Sequence, residues 1–550
     1  MKMNQLGKIA LSSLLGLTML AGCGGSGSDG SDGKVVVNLA SEPPEMNSFM
    51  NTDSTSGNVL RHTVEGLTTL DSNDNPVEGV AKSWDVSDDK LTYTFHLRED
   101  SFWNDGTQVT ANDFKFAWDQ LFTTHLGAGY ASTWAVLIDG AEELMKQTET
   151  KEAAASEAAK KAYENVGYKV IDDFTFEVKL TGPYPYILGT FAFYSFAPVN
   201  EKFYTEHGGI DNYAKESADY LSNGPFVMTS WAHEDNIVLT KNDKYWNKDA
   251  IKLNEITFKM IENTNTALNE FENGTIDMIG LNGTQAKDYR SQGKDVLNYD
   301  DGSVWYMEFN TTKPGLNNAK VRKALTMGID VQKFIDTVVL NESKIATSFT
   351  PPVVNNGEFT KAVGNVWERA NGDYTEAKKL LEEGLKEEGI NPADFKIELL
   401  GDEGDTGKAT YEFVQEQLKT NLGVKFEVKQ VPFKTRIQRM NDKQFDIVWA
   451  GWSLDYNDAM SYLDLWLTGG GNNHGGYSNA EYDKLVQDAY MEADVEKRTQ
   501  MLVDAEKILA EDAAIGLTYW RSRDYICSDK LTGVQRSALR DMDLRFAETK

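Results

Sequence analysis

The chain is 550 residues long, 40% apolar and 25% charged, with a formal net charge of −30 and two cysteines. That length exceeds what one hydrophobic core organises and predicts about two to four domains. The acidic balance argues against nucleic acid or an anionic lipid surface as partner, and two cysteines exclude a disulfide-stapled scaffold.

Lys2 and Lys8 accompany an apolar run over 9–20. The run is too short to cross hydrocarbon and ends in small residues, the pattern of a cleaved secretory signal. The stretch Leu20-Ala21-Gly22-Cys23 resembles the lipobox of bacterial lipoproteins. That resemblance implies that 1–22 is removed and that the Cys23 thiol carries a diacylglyceryl group, two acyl chains being enough for stable anchoring. Residues 23–33, nearly all Gly, Ser and Asp, cannot pack a core and read as a tether; ten of them span about 17 Å root-mean-square. The body is therefore expected outside the cytoplasm, anchored to the outer face of the cytoplasmic membrane or held in the periplasm. Beyond Gly22 no apolar run approaches about 18 residues, so no spanning helix is predicted. With Cys23 lipidated, Cys527 is left alone and reads as a small buried hydrophobe.

Val35, Val36 and Val37 predict a buried strand running into the loop Ser41-Glu42-Pro43-Pro44. Residues 91–97 alternate as a strand does. A helix is predicted over 110–122: Thr110 and Asp113 have capping-box spacing, and Phe114, Ala117, Trp118, Leu121 and Phe122 make one apolar face. The Ala/Glu/Lys-rich stretch 142–163 has good helix propensity and little apolar surface, as a peripheral insertion would. Farther along, helical periods at 375–385, 411–422, 480–491 and 496–510 interleave with strand patterns at 395–400, 424–431 and 445–450. This interleaving predicts an α/β lobe over 370–510, with 445–450 buried on both faces. No internal repeat of about 20–50 residues occurs.

One run of motifs carries a resemblance across nearly the whole chain. It begins with Ala81-Lys82-Ser83-Trp84-Asp85 and Leu91-Thr92-Tyr93-Thr94-Phe95, then Phe102-Trp103-Asn104-Asp105-Gly106 and Asp113-Phe114. It continues through Asn223-Gly224-Pro225-Phe226, Tyr245-Trp246, Phe271-Glu272-Asn273-Gly274 and Val321-Arg322-Lys323-Ala324-Leu325, and reaches Ala450-Gly451-Trp452-Ser453-Leu454-Asp455-Tyr456. Together these resemble the extracellular solute-binding proteins that serve oligopeptide and dipeptide ABC importers. The resemblance implies an α/β, periplasmic-binding-protein-like two-lobed fold (type II, class C) with an extra domain and the ligand enclosed between the lobes. It implies a discontinuous domain I at 34–64, 197–306 and 511–550, an extra domain II at 65–196, and a domain III at 307–510. Expected partners are an oligopeptide, a membrane permease with its ATPases, and the membrane through the lipid anchor; the chain is expected to be a monomer with no cofactor.

Relatives hold an extended peptide by its main chain, with pockets for alternate side chains. Asp455 matches the family aspartate that pairs with the peptide α-ammonium, and it follows a strand whose C-terminal end is where open α/β sheets place ligands. Gly451 and Ser453 match positions whose backbone meets the peptide, Trp452 is a candidate pocket wall, and Glu42 and Tyr130 are further candidate contacts. Trp449 departs from relatives that carry a basic residue there for the carboxylate of short ligands. Other ligands of the same family stay open: dipeptides, peptide pheromones, nickel chelates, haem and sugars. A secreted hydrolase is the remote alternative. Against it, no histidine pair has metal-ligand spacing, Gly451-Trp452-Ser453-Leu454-Asp455 lacks the last glycine of a nucleophile elbow, and Asp71-Ser72-Asn73-Asp74-Asn75 lacks the glycine of a calcium loop. His474, in the Gly/Asn loop 469–476, reads as a solvated loop histidine.

Overall fold

The computed structural model describes residues 32–492 and 494–550. The signal 1–22, Cys23 and the tether through residue 31 lie outside the described residues. Among the described residues, no helix is long and apolar enough to cross a membrane.

Two strands of 13 residues, Leu297–Phe309 and Ile515–Cys527, hold the molecule together. They run antiparallel to each other, with a register slip between Asp300 and Val304. At one end, Ile515–Cys527 pairs with Met278–Leu281, and the sheet continues through Lys34–Asn38, Glu255–Lys259, Asn236–Lys241 and Phe226–Ala232. At the other end, Leu297–Phe309 pairs with Ile447–Trp452, followed by Lys396–Asp402 and Lys425–Val431. The architecture is thus α/β with two lobes sharing two strands, and the slip in register falls where one lobe gives way to the other.

In the second lobe the strand Lys396–Asp402 is parallel to both Lys425–Val431 and Ile447–Trp452. Parallel strands need crossover helices, which are Asp405–Leu422 and Phe433–Asn441. The first covers one sheet face, where Leu399, Val414, Leu418 and Ile447, all at 0% exposure, form a hydrophobic core of their own. Met440 of the second joins Leu400 and Val448 in the main core. The helical and strand patterns expected over 370–510 appear as Thr375–Glu387, Lys396–Asp402, Asp405–Leu422, Lys425–Val431, Ile447–Trp452, Ala480–Met491 and Val495–Glu511.

Within 81–179 lies a separate antiparallel sheet in the order Ala81–Val86, Thr92–Leu97, Thr175–Lys179, Tyr168–Asp172. The helix Ala111–Leu121 starts at the expected capping box, where the Thr110 N–H donates to the Asp113 carboxylate at 2.7 Å. Its Trp118 is fully buried and meets Tyr168 and Phe176 edge-on at 5.3 and 5.1 Å, a geometry the ring quadrupoles favour. The stretch 142–163 is covered by three short helices, Ala141–Gln147, Lys151–Ala154 and Glu157–Asn165. Cys527 ends its strand half-buried, and burial pushes its thiol up to about 11, so it is an inert thiol at neutral pH.

Candidate functional site

Where the two lobes face each other lies a cavity of about 430 Å³, within the range of small-ligand sites. Its floor in the second lobe is the end of Ile447–Trp452 and the loop that follows. The neighbouring strand Lys396–Asp402 pairs with Ile447 and Val448 only. Beyond Val448 that edge of the strand has no strand partner among the described residues, while Ala450 through Asp455 line the cavity. Two strands diverging at a sheet's carboxyl end are the usual place for a ligand in open α/β sheets. An unpartnered strand edge is also a template for an extended chain.

Asp455 sits at the far end of this edge. Its N–H donates to Ser461 Oγ at 2.8 Å, and its Oδ1 accepts from the Tyr130 hydroxyl at 3.0 Å. Among the described residues no cation is paired with the carboxylate. Burial, with a smaller contribution from the nearby Asp464 carboxyl, holds it well above the usual carboxylate range, and the Tyr130 hydroxyl offsets this only partly. Tyr130 is itself buried and packs edge-on to Trp452 at 6.2 Å. The arrangement is a desolvated acid, oriented by one hydroxyl, facing a cavity. Such a group favours a cationic partner, because pairing restores what burial removed.

The remaining expected residues divide. Gly451, Trp452 and Ser453 line the cavity together with Asp455 and Tyr130. The Trp452 indole N–H donates to Ser461 O at 2.8 Å, and the Ser453 hydroxyl shares a hydrogen bond with Ser303 Oγ at 2.7 Å. Glu42 is elsewhere. Its Oε1 is 2.7 Å from His233 Nδ1 and its Oε2 accepts from the Glu234 N–H, so a neighbouring turn occupies the side chain, and only Ala40 and Ser41 from that loop reach the cavity. Trp449 points into the second lobe's core against Phe334 at 5.6 Å. His474 also differs from expectation. Its loop is drawn inward by the Gly475 N–H, which donates to the buried Glu308 at 2.7 Å, and the ring is 15% exposed and lines the cavity.

Gly451 is required by its cross-strand partner. A Cβ there would lie 2.8 Å from the Trp305 ring, which spreads over the strand under the Arg521 guanidinium at 5.0 Å. The variant Gly451→Val is expected to push this indole out of place, weakening ligand binding at least about tenfold while costing about 1–3 kcal/mol of stability. Calorimetric titration beside thermal unfolding checks both numbers; unchanged affinity would remove the strand edge from the site.

Other site residues escaped sequence reasoning because their partners are distant in the chain. Trp305 and Ser303 come from the shared strand Leu297–Phe309. Three cavity arginines are tied to acids: Arg436 to Asp402 at 2.6 Å, Arg521 to Asp301 at 2.7 Å and Arg523 to Asp541 at 2.5 Å. Toward the second lobe, Tyr186 stacks on Tyr456 at 4.5 Å, and the Gly471 N–H reaches Ser132 Oγ at 3.5 Å. Among the described residues no cluster of His, Cys, Asp and Glu is placed to hold a metal ion.

Comparison with known proteins places this geometry in context. The sequence profile of the bacterial extracellular solute-binding proteins, family 5 (middle region), matches residues 75–474. The oligopeptide-binding protein OppA of Bacillus subtilis is 34% identical over 506 residues, covering 90% of this chain and 89% of that protein. The structure of Listeria monocytogenes OppA bound to peptide superposes with a TM-score of 0.85 at 32% identity, covering 94% of this chain and 99% of that one. The substrate-binding domain of an oligopeptide ABC transporter from Bacillus anthracis superposes equally, with a TM-score of 0.85 at 31% identity and coverages of 94% and 99%.

Proposed function

The chain belongs to the bacterial extracellular solute-binding proteins of family 5, and from that premise we propose that it captures oligopeptides between its lobes and delivers them to an ABC importer. The observation that carries the reading is the pairing of two features in one cavity: a strand edge with no strand partner beyond Val448 and a desolvated carboxylate, Asp455, at its end. An extended peptide satisfies both. Its amides add to the edge at roughly 0.5–1.5 kcal/mol per hydrogen bond, and its α-ammonium neutralises Asp455. Gly451, Trp452 and Ser453 then meet the first peptide units, while Tyr130 orients the acid. Main-chain recognition of this kind is indifferent to side chains, as an importer of mixed peptides requires. The chain acts as a binder, not a catalyst. It works as a monomer, tethered by lipid on Cys23, and hands its cargo to a permease and its ATPases. We assign the lobes as 34–64 with 197–306 and 511–550, the extra domain as 65–196, and the second lobe as 307–510. The separate sheet at 81–179 and the parallel strand pairing at 396–452 support this division.

The reading fixes a pH dependence. The empty-site carboxyl of Asp455 is raised, and an ammonium stabilises its ionised form, so the bound state has the lower pKa. Affinity is therefore full above the empty-site pKa and falls as pH drops through it toward the bound-state value. A tetra-alanine peptide with a free amine is expected to bind more weakly as pH falls from 8 to 5 by calorimetry, a range that lies wholly above the usual aspartate value of about 4. Its N-acetyl form is expected to bind at least about tenfold more weakly at pH 8 and to lack that trend. Equal binding of the two peptides would count against the ammonium site, and mixed free-amine peptides co-purifying with the protein, read by mass spectrometry, would support the ligand class.

A further inference from the structure

A second cavity, of about 50 Å³, opens off the first and shares with it Arg61, Phe193, Tyr194, Asp455 and Leu539. Four charged side chains line it: Arg61, Glu65, Asp455 and Arg545. Two are satisfied. Glu65 accepts from the Tyr245 hydroxyl at 2.5 Å and the Trp246 indole N–H at 2.6 Å, and Arg545 is held by the Asp543 carboxylate at 2.7 Å. The other two have no charged partner among the described residues. Asp455 takes only the Tyr130 hydroxyl. Arg61 makes no side-chain hydrogen bond or ion pair, and its Nε is buried without any acceptor. Every other arginine lining the main cavity is paired to an acid.

A partly buried guanidinium whose buried Nε has no acceptor is costly, and this one lines the same small cavity as the acid that would take the peptide's ammonium. From this juxtaposition, and resting on the oligopeptide reading above, we propose that Arg61 is a specificity-determining residue that selects ligands carrying a carboxylate close to their amino end. The small cavity has room for a carboxylate and little more, since one water needs about 10–15 Å³ of such space. The planar fork of arginine suits a carboxylate bidentately. Burial lowers the Arg61 pKa, with the Arg545 and Arg540 charges adding to the effect and Asp543 opposing it, which agrees with a cation short of counter-charge. Two sources supply the chemistry: an acidic side chain on the first or second residue, or the terminal carboxylate of a dipeptide.

The test compares calorimetric affinities of the full chain for Glu-Ala-Ala-Ala against Gln-Ala-Ala-Ala, Ala-Glu-Ala-Ala against Ala-Gln-Ala-Ala, and Ala-Ala against its amide. At least one pair is expected to favour the carboxylate by about tenfold or more, the size of one charge-assisted pair, and which pair does so identifies the source. Arg61→Gln is expected to erase that preference while leaving Gln-Ala-Ala-Ala binding within about threefold, a difference below 1 kcal/mol. Wild-type protein that binds the neutral tetrapeptides with no preference in any pair overturns the proposal and leaves the oligopeptide reading standing. Wild-type protein that binds none of the six overturns both. The wild-type comparison does not depend on the variant folding.

Discussion

Replacing Asp455 with Asn is expected to weaken binding of free-amine peptides by at least about tenfold and, in the empty protein, to raise the melting temperature at neutral pH. The two effects have one cause. The carboxylate is desolvated, faces no cation and accepts a single hydroxyl hydrogen bond, so its folded-state pKa lies well above the usual range. For an acid shifted this way, the contribution to stability is complete below the unfolded-state pKa and is lost as pH rises through the folded-state one. Near neutrality the wild-type protein therefore carries a cost that an amide avoids, while Asn keeps an oxygen for the Tyr130 hydroxyl. With peptide bound the balance reverses, because removing one partner of a desolvated charge pair costs about 2–5 kcal/mol. Thermal unfolding without ligand and calorimetry with it read the two halves separately. A variant that loses affinity and also loses stability would mean that Asp455 is structural.

The largest stability effect is expected at Asp543, for which substitution by Asn should cost about 3–5 kcal/mol. Asp543 is 0% exposed and lies between two arginines. Arg540 Nη1 donates to its Oδ2 at 3.1 Å, Arg545 Nη2 donates to the same oxygen at 2.7 Å, and the Arg545 N–H and Nε both donate to Oδ1 at 3.0 Å. Burial alone would raise this acid, yet Arg545 first, then Arg540, hold it far below the usual carboxylate range. The two arginines in turn fasten the C-terminal segment to the rest of the molecule, Arg540 through Asp74 at 2.6 Å and Arg545 through Thr69 Oγ1 at 2.7 Å. The Leu544 N–H donates to His62 Nε2 at 2.9 Å, while His62 Nδ1 donates to Asn58 O at 2.6 Å. This is a neutral tautomer, and burial depresses it to about 4. An amide leaves the Arg545 guanidinium without its acid and Arg540 with Asp74 alone, in a dry site. Chemical denaturation would measure the loss; a change below about 1 kcal/mol would show that the cluster is wetter than its exposure indicates.

Much of the second lobe was legible because its strands and helices obey their periods. The apolar run 445–450 became the central strand Ile447–Trp452, and helix 480–491 was observed at the expected limits. The helix at 110–122 was equally clear, its start fixed by Thr110 and Asp113. The site was legible only along one segment. Gly451 through Asp455 are contiguous, and a single motif placed them together at the cavity. Glu42 was expected as a contact because relatives meet the ligand backbone at that position, and its side chain answers His233 on a neighbouring turn. His474 read as solvated because glycine and asparagine surround it; the buried Glu308 pulling on the Gly475 N–H turns the loop inward. Arg61 and Trp305 gave no signal at all. Each belongs to an ordinary helix or strand, and only the packing of the two lobes brings them to the same cavity as Asp455.

The most direct measurement is a crystal structure of the protein with a free-amine tetrapeptide. The account predicts the peptide extended between the lobes, its main chain paired with the open edge beyond Val448 and its amino nitrogen within hydrogen-bonding reach of the Asp455 carboxylate. A peptide lying outside this cavity, or one whose amino end points away from Asp455, would contradict it.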